Sequence, residues 1–243
     1  MERVETFKAF ADALGSPVAR AVGGELFPFE VPAADLAGTL EQSRRQPQAR
    51  IAGGRRGDAI NQTLEGDGAD FASLPLDEAA RTPVHISLFD LGELRRPGGA
   101  LHPVVEEVYL PLAARWREAG LVWKKVYPIL FLSGPGCSTN YHWDPSSVLV
   151  VQLHGRKRFH SLRRPGHWCP PEVLDGGLDA MVRPADLGDD EILSLDLEPG
   201  DAVWSPCRAP HWVDAGDETA FSLSIAFTDI APGPDPEAEM LVV

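Results

Sequence analysis

Beyond Gly120 this 243-residue chain is cut into short strand-like runs, and that segmentation constrains its fold more than any other feature. The runs fall at about 121–132, 138–144, 147–153, 157–162, 192–197, 201–205, 210–214 and 219–228. Gly134-Pro135-Gly136, His154-Gly155-Arg156, Pro199-Gly200-Asp201 and Ala215-Gly216-Asp217 punctuate them as turns. Many short strands with turn signals between them close into a sandwich or barrel. Pro128 reads as a bend or an edge within the first run. Residues 163–190 carry Pro165, Pro170, Pro171, Gly176 and Gly177 and read as an insertion between two strands.

The N-terminal part has a different pattern. Phe7, Phe10, Ala11 and Leu14 recur at helical spacing, with Gly15 as a stop. A second helix is expected from about Ala33 to Arg45, with Ala34, Leu36 and Leu40 on one side. Residues 46–70, rich in Gly, Arg, Asp and Gln, read as a mobile loop, either a lid or a connector. Its Arg56-Gly57-Asp58 tripeptide reads as solvated loop. Val84-His85-Ile86-Ser87-Leu88-Phe89 has strand composition. A helix is expected after His102-Pro103, with Val105, Tyr109, Leu112 and Trp116 on its inner face. The expected organisation is a helical extension over 1–80, whose loop packs on the barrel, followed by a mainly β barrel over 81–243.

Charge and cysteine content exclude several classes. A formal net charge of −14 repels phosphate backbones, so general nucleic-acid binding is not expected. Arg156, Lys157, Arg158, Arg163 and Arg164 form the one basic stretch, compatible with a solvated strand edge. Cys137, Cys169 and Cys207 are too few and too odd in number for a disulfide framework, and fit a reducing cytoplasm. The acidic start Met1-Glu2-Arg3-Val4-Glu5 lacks a secretion signal. No apolar run approaches the roughly 20 residues needed to span a bilayer.

The chemistry concentrates in Cys137-Ser138-Thr139-Asn140-Tyr141-His142-Trp143-Asp144. In a strand, residues two apart share a face, so His142 and Asp144 would aim an imidazole and a carboxylate at one point. His211, in Pro210-His211-Trp212, lies on a separate strand that a barrel can bring alongside. Two histidines and one carboxylate leave coordination positions open, the facial arrangement of non-heme Fe(II) oxygenases. The other histidines, His85, His102, His154, His160 and His167, read as surface or satisfied core residues. A rival set of His160, His167 and Cys169 offers zinc-type ligands, but its spacing matches no zinc pattern. Tyr141, Trp143, Trp204 and Trp212 border the ligand segments, as core packing or as pocket lining.

Taken together, these residues resemble the JmjC-type branch of the cupin superfamily, the double-stranded β-helix (jelly-roll) oxygenases that include the asparaginyl hydroxylase of hypoxia signalling and the ribosomal oxygenases. The resemblance covers roughly residues 120–230. It is carried by His142-Trp143-Asp144, then the apolar run Val148 to Leu153, then His154-Gly155-Arg156-Lys157-Arg158-Phe159, then the distal His211. It implies that His142, Asp144 and His211 ligate Fe(II). It also implies that Lys157 pairs with the distal carboxylate of 2-oxoglutarate and that Thr139 hydrogen-bonds that carboxylate. An unpaired carboxylate buried in a barrel is costly, which is why such partners are needed. Some relatives carry an asparagine where this chain has Val148. Regular strand parity would put Thr139 on the face opposite His142 unless the strand bulges. Tyr127, Ser222 and Ser224 are polar neighbours without an assigned role.

The implied reaction is O2-dependent hydroxylation coupled to oxidative decarboxylation of 2-oxoglutarate. The Asp144 ligand favours hydroxylation over halogenation, which needs that position vacant. The implied substrate is a polypeptide side chain, an amino acid or a natural-product intermediate, and the acidic surface suits a basic polypeptide. Two other classes use the same barrel: a non-oxidative metal cupin of isomerase type, and a metal-free cupin that binds a ligand. Lys157 separates the first of these from the oxygenase, since a non-oxidative metal cupin needs no buried lysine opposite its metal; a metal-free cupin would bind no iron and produce no succinate. A homodimer is compatible with such barrels.

Overall fold

The computed structural model describes residues 1–54, 67–175, 182–233 and 241–242. The Arg56-Gly57-Asp58 tripeptide, Gly176 and Gly177 lie outside them. The strands are β1 (Arg3–Val4), β2 (Arg20–Val22), β3 (Arg50–Gly53), β4 (Val84–Leu88), β5 (Leu121–Val122), β6 (Lys125–Ser133), β7 (Ser147–His154), β8 (Lys157–Leu162), β9 (Ile192–Leu197), β10 (Ala202–Ser205), β11 (His211–Ala215), β12 (Ala220–Thr228), β13 (Ala231–Pro232) and β14 (Leu241–Val242). The helices are α1 (Phe7–Ala13), α2 (Leu36–Arg44), α3 (Asp67–Ser73), α4 (Leu76–Ala79), α5 (His102–Val104), α6 (Leu110–Glu118), α7 (Pro165–Trp168) and α8 (Pro171–Leu174). A π-helical stretch, Val105–Tyr109, makes α5 and α6 continuous. Among these residues no helix is long and apolar enough to cross a membrane.

A nine-stranded sheet runs in the order β1-β2-β10-β7-β12-β6-β4-β3, with β14 added beside β6. It faces a three-stranded sheet, β11-β8-β9. The architecture is the jelly-roll barrel, and helices flank it. Alternation along the strands builds two cores. On the outer face of the large sheet, Trp204 of β10 and Phe227 of β12 meet Phe10 of α1 and Trp116 of α6, with ring centroids 4.9 to 6.1 Å apart. Val105, Tyr109, Leu112 and Trp116 are all buried on the helix's inner face, as the spacing requires. The inner face of the sheet lines the barrel.

Four sequence expectations change. The first fifty residues are not helical throughout, because β1 and β2 pair in parallel and β2 continues antiparallel onto β10. Too short to show a period, they owe their strand state to partners distant in sequence. Likewise β3 falls inside the expected loop 46–70 and pairs with β4. Pro128 sits inside β6, so of the two expectations the bend is not met and the edge is. Opposite β12, β6 pairs with β14 only at Lys125 and Val126, and with β4 only from Leu130 onward. The missing N–H of Pro128 falls in that gap. Finally, 138–144 is not a regular strand. It touches β11 through two isolated bridges, Ser138 with Asp214 and His142 with His211.

Candidate metal centre

His142, Asp144 and His211 converge: one potential ligand atom from each lies within 4.8 Å of the others. No other such group occurs among the described residues. The alternation argument for His142 and Asp144 does not supply the reason, since their segment is irregular. The backbone does. His142 and His211 exchange N–H···O bonds of 3.0 and 2.8 Å, and the Arg208 N–H donates to the Asp144 carbonyl at 2.9 Å. The same pairing brings the two imidazole centroids to 4.3 Å.

Each histidine is oriented by its own neighbourhood. His142 Nδ1 lies 2.7 Å from the Asn140 carbonyl, and His211 Nδ1 lies 2.9 Å from the Ala209 carbonyl. A carbonyl only accepts, so Nδ1 carries the proton and Nε2 is left as the free lone pair a metal requires. Burial, reinforced by the neighbouring His142, pushes the pKa of His211 down to about 4, which keeps it neutral. Phe159 stacks on its ring at 5.3 Å. Asp144 is more open, with its side chain 38% exposed and Oδ2 3.6 Å from His211 Nε2. The site therefore lies at the mouth of the barrel, with one side toward solvent.

Behind the three ligands a cavity runs into the barrel. Its walls are largely apolar, from Phe131, Val148, Val150, Phe159, Leu197 and Val213. Lys157 closes it. This residue is 4% exposed, and its Nζ donates to the Phe131 carbonyl at 2.8 Å and to Ser222 Oγ at 3.2 Å. Burial pushes its pKa down to about 7. No carboxylate among the described residues is within ion-pair distance of it. A buried ammonium with only neutral partners is complementary to an anion. Thr139 also lines the cavity, and its Oγ1 accepts from the Val213 N–H at 2.7 Å. The hydroxyl proton stays available to a ligand. The parity objection to Thr139 lapses because a bridged, irregular segment has no fixed two-residue alternation. The donor set thus fits a divalent metal at one end and a carboxylate at the other.

The remaining expectations resolve as follows. Ser222 and Ser224 line the cavity, as does Val148; Tyr127 does not. Tyr141, Trp143 and Trp212 belong to an apolar cluster with Cys169 and Leu187 on the outer side of the small sheet, so they pack and do not line the cavity. Trp204 is in the main core. The rival zinc set is dispersed. His160 is held between Ser194 and Asp214, Cys169 is buried in that apolar cluster, and His167 is exposed against Trp168. His85, read above as a surface or satisfied core residue, is a cavity residue, as are Ser87, Ser133 and Ser205. No sequence signal marked the first two: Val84, Ile86 and Leu88 alternating with His85 and Ser87 is the pattern of a strand with one polar face, and only the fold turns that face into the cavity.

Residues 113–231 match the family model of the JmjC domain. No curated protein matches the chain. Among solved structures, the ribosomal oxygenase YcfD of Escherichia coli superposes at a TM-score of 0.53 and 16% identity, over 97% of this chain and 54% of that one. A second structure of E. coli YcfD gives 0.50 and 14%, over 97% and 55%. YcfD has also been solved in complex with cobalt and 2-oxoglutarate; that structure matches at 18% identity and a TM-score of 0.46, over 83% of this chain and 44% of that one. The chain thus spans about half the length of these structures, and the likeness establishes the fold. Family model and jelly-roll topology agree: residues 113–231 of this chain match the JmjC domain and fold within a jelly-roll barrel of the cupin type.

Proposed function

We propose that this protein is an Fe(II)- and 2-oxoglutarate-dependent hydroxylase that uses O2. The observation that carries the reading is Lys157: a buried ammonium, without a counter-charge of its own, in the same cavity as three converging metal-ligand side chains. A non-oxidative metal cupin has no use for that charge, and a metal-free binding barrel has none for the three converging metal-ligand side chains.

His142, Asp144 and His211 would hold the metal through Nε2, a carboxylate oxygen and Nε2. Bound there, iron and 2-oxoglutarate supply oxidative decarboxylation and hydroxylation of a C–H bond. The chain's own part is positioning and exclusion. Asn140 and Ala209 hold protons on the Nδ1 atoms, away from the metal. Lys157 and the Thr139 hydroxyl anchor the cosubstrate's distal carboxylate. Phe159, Val150 and Leu197 keep water from the enclosed half of the cavity. Asp144, being present, occupies the position a halide would need. Its partial exposure leaves the open side for the prime substrate.

The prime substrate is a polypeptide side chain, with a free amino acid or a natural-product intermediate as smaller members of the same reading. The net charge of −14 supports a basic polypeptide through electrostatic steering, and the matched E. coli protein is described as a ribosomal oxygenase. Cys137, Cys169 and Cys207 form no disulfide with one another, which suits a reducing cytoplasm. The test is succinate release by purified protein given Fe(II), ascorbate, 2-oxoglutarate and O2, against a His142→Ala control. Release above the control is expected; equal release from both would remove the proposal.

A further inference from the structure

Strand β4 delivers a histidine to the cavity from outside the matched segment 113–231. His85 is 5% exposed and lies opposite Ser133 in the β4–β6 ladder. One ring nitrogen is accounted for, since Nδ1 lies 3.1 Å from Ser133 Oγ. The other is not. Nε2 is buried and has no partner in hydrogen-bond geometry, although the Ser138 carbonyl stands near the ring. Buried polar atoms are ordinarily paired, and one left unpaired in a cavity wall is a place for a ligand atom.

The chemistry of the neighbours says which kind. Burial pushes the pKa of His85 down to about 4, and the charges of Lys157 and His142 push the same way, so the ring is neutral. With the Ser133 hydroxyl donating to Nδ1, the single ring proton sits on Nε2, which is then a donor. The cavity also holds the Lys157 ammonium and the Thr139 and Ser222 hydroxyls. Of the residues that line this space only Asp144 is acidic, and it stands with the two candidate metal-binding histidines; the remaining donors match an anion with several lone pairs. A carboxylate offers about four acceptor sites on two oxygens.

We propose that His85 is a third anchor for the distal carboxylate of the cosubstrate, donating from Nε2 beside Lys157 and Thr139. The proposal rests on the cosubstrate reading above, and adds to it a specificity residue supplied from outside the JmjC segment.

The test uses full-length protein loaded with Mn(II), and calorimetry with two keto acids. One is 2-oxoglutarate; the other, 2-oxobutanoate, has the same keto-acid head and no distal carboxylate. His85→Phe is expected to weaken 2-oxoglutarate about 10- to 100-fold, the loss of one hydrogen bond to a charged group. It should leave 2-oxobutanoate and Mn(II) affinity within about twofold. His85→Gln, which keeps an N–H donor, should recover part of the loss. An unchanged 2-oxoglutarate affinity in His85→Phe, or equal losses for both keto acids, overturns the proposal. Should His85→Phe fail to fold, the imidazole 15N and Nε2–H resonances of wild type decide. They must shift on saturation with 2-oxoglutarate, and unmoved resonances overturn the assignment. Wild type that binds Mn(II) but no 2-oxoglutarate would instead remove the cosubstrate reading itself.

Discussion

His142 and His211 hydrogen-bond each other's backbones, at 3.0 and 2.8 Å, across a bridge between an irregular segment and β11. This pair fixes the two candidate ligand histidines through the backbone alone. Asp144 is tied in through its own carbonyl, by the Arg208 N–H, and its carboxylate stands 3.6 Å from His211 Nε2. Replacing a ligand should therefore remove metal affinity without unfolding the barrel. For Asp144→Ala and His211→Ala the expected loss in Mn(II) or Fe(II) affinity is at least on the order of 100-fold, above the range for outer-sphere partners. Turnover should be abolished in both. Metal titration followed by calorimetry checks it, with circular dichroism to establish that the fold persists.

Lys157 poses a trade between stability and ligand binding. Its ammonium is buried against a carbonyl and a hydroxyl, with no negative partner among the described residues. Lys157→Met fills similar volume without charge. It should raise the stability of the ligand-free protein by about 1–3 kcal/mol, because it removes an uncompensated buried charge. The same change should abolish measurable 2-oxoglutarate binding while metal affinity stays. Thermal unfolding and calorimetry on one preparation test both halves; a destabilised variant would mean that Lys157 is satisfied without a ligand.

Three depressed pKa values set the pH dependence, and His211, also at about 4, adds to the same acid arm as His85. For His85 the folded value is about 4, below the 6.5 of the unfolded chain. Between those values the unfolded state binds more protons, so stability rises with pH and is lost as pH falls from about 6.5 toward 4. For Lys157 the folded value is about 7 against 10.5. Here too the unfolded state holds the extra proton, and stability rises between pH 7 and 10.5. Urea midpoints of the metal-free protein across pH 4.5 to 9.5 check this by difference. Relative to wild type, His85→Phe should flatten the acid arm and Lys157→Met the alkaline arm. A cosubstrate carboxylate needs the ammonium, so 2-oxoglutarate binding above pH 7 should take up close to one proton. Calorimetry in two buffers of different ionisation enthalpy measures it.

The barrel was legible because its strands from 147 onward carry their own signals: apolar runs bounded by Gly and Pro turns. The strands β1, β2 and β3 were not, because two to four residues hold no period and are made by pairing with distant partners. In the site, His142 and Asp144 were read as a strand pair, and the chain reaches the same convergence through a bridge and a carbonyl contact. Lys157 was legible only through the family resemblance, since the residues alone read equally as an exposed turn lysine. Ser205 and Ser133 carried none, since a serine's position on an inner face depends on register. Pro128 depended on which flank of β6 is unpaired, a tertiary fact. His85, one histidine among seven, carried no signal, since its alternation with Val84, Ile86 and Leu88 is the pattern of a half-buried strand and only packing encloses the second face.

A last prediction concerns the clasp between the two ligand loops. The Cys207 N–H donates to Ser147 Oγ at 3.0 Å, and Cys207 Sγ donates to the Pro145 carbonyl at 3.3 Å. Asp144 and Pro145 are on one side of this clasp, and Cys207, four residues before His211, is on the other. The clasp touches no ligand atom, so its effect on the metal runs through ligand placement alone. Ser147→Ala removes the acceptor and leaves the Cys207 N–H without its partner, which costs about 1–3 kcal/mol of stability if water cannot replace it. Metal affinity should fall by roughly 10-fold, the lower range for lost outer-sphere support. Cys207→Ala keeps the N–H bond to Ser147 and removes only a weak thiol donor, so its metal affinity should stay within about threefold. Parallel Mn(II) titrations of the two variants decide the matter: equal affinities would show that the loops are held by the His142–His211 bridge alone.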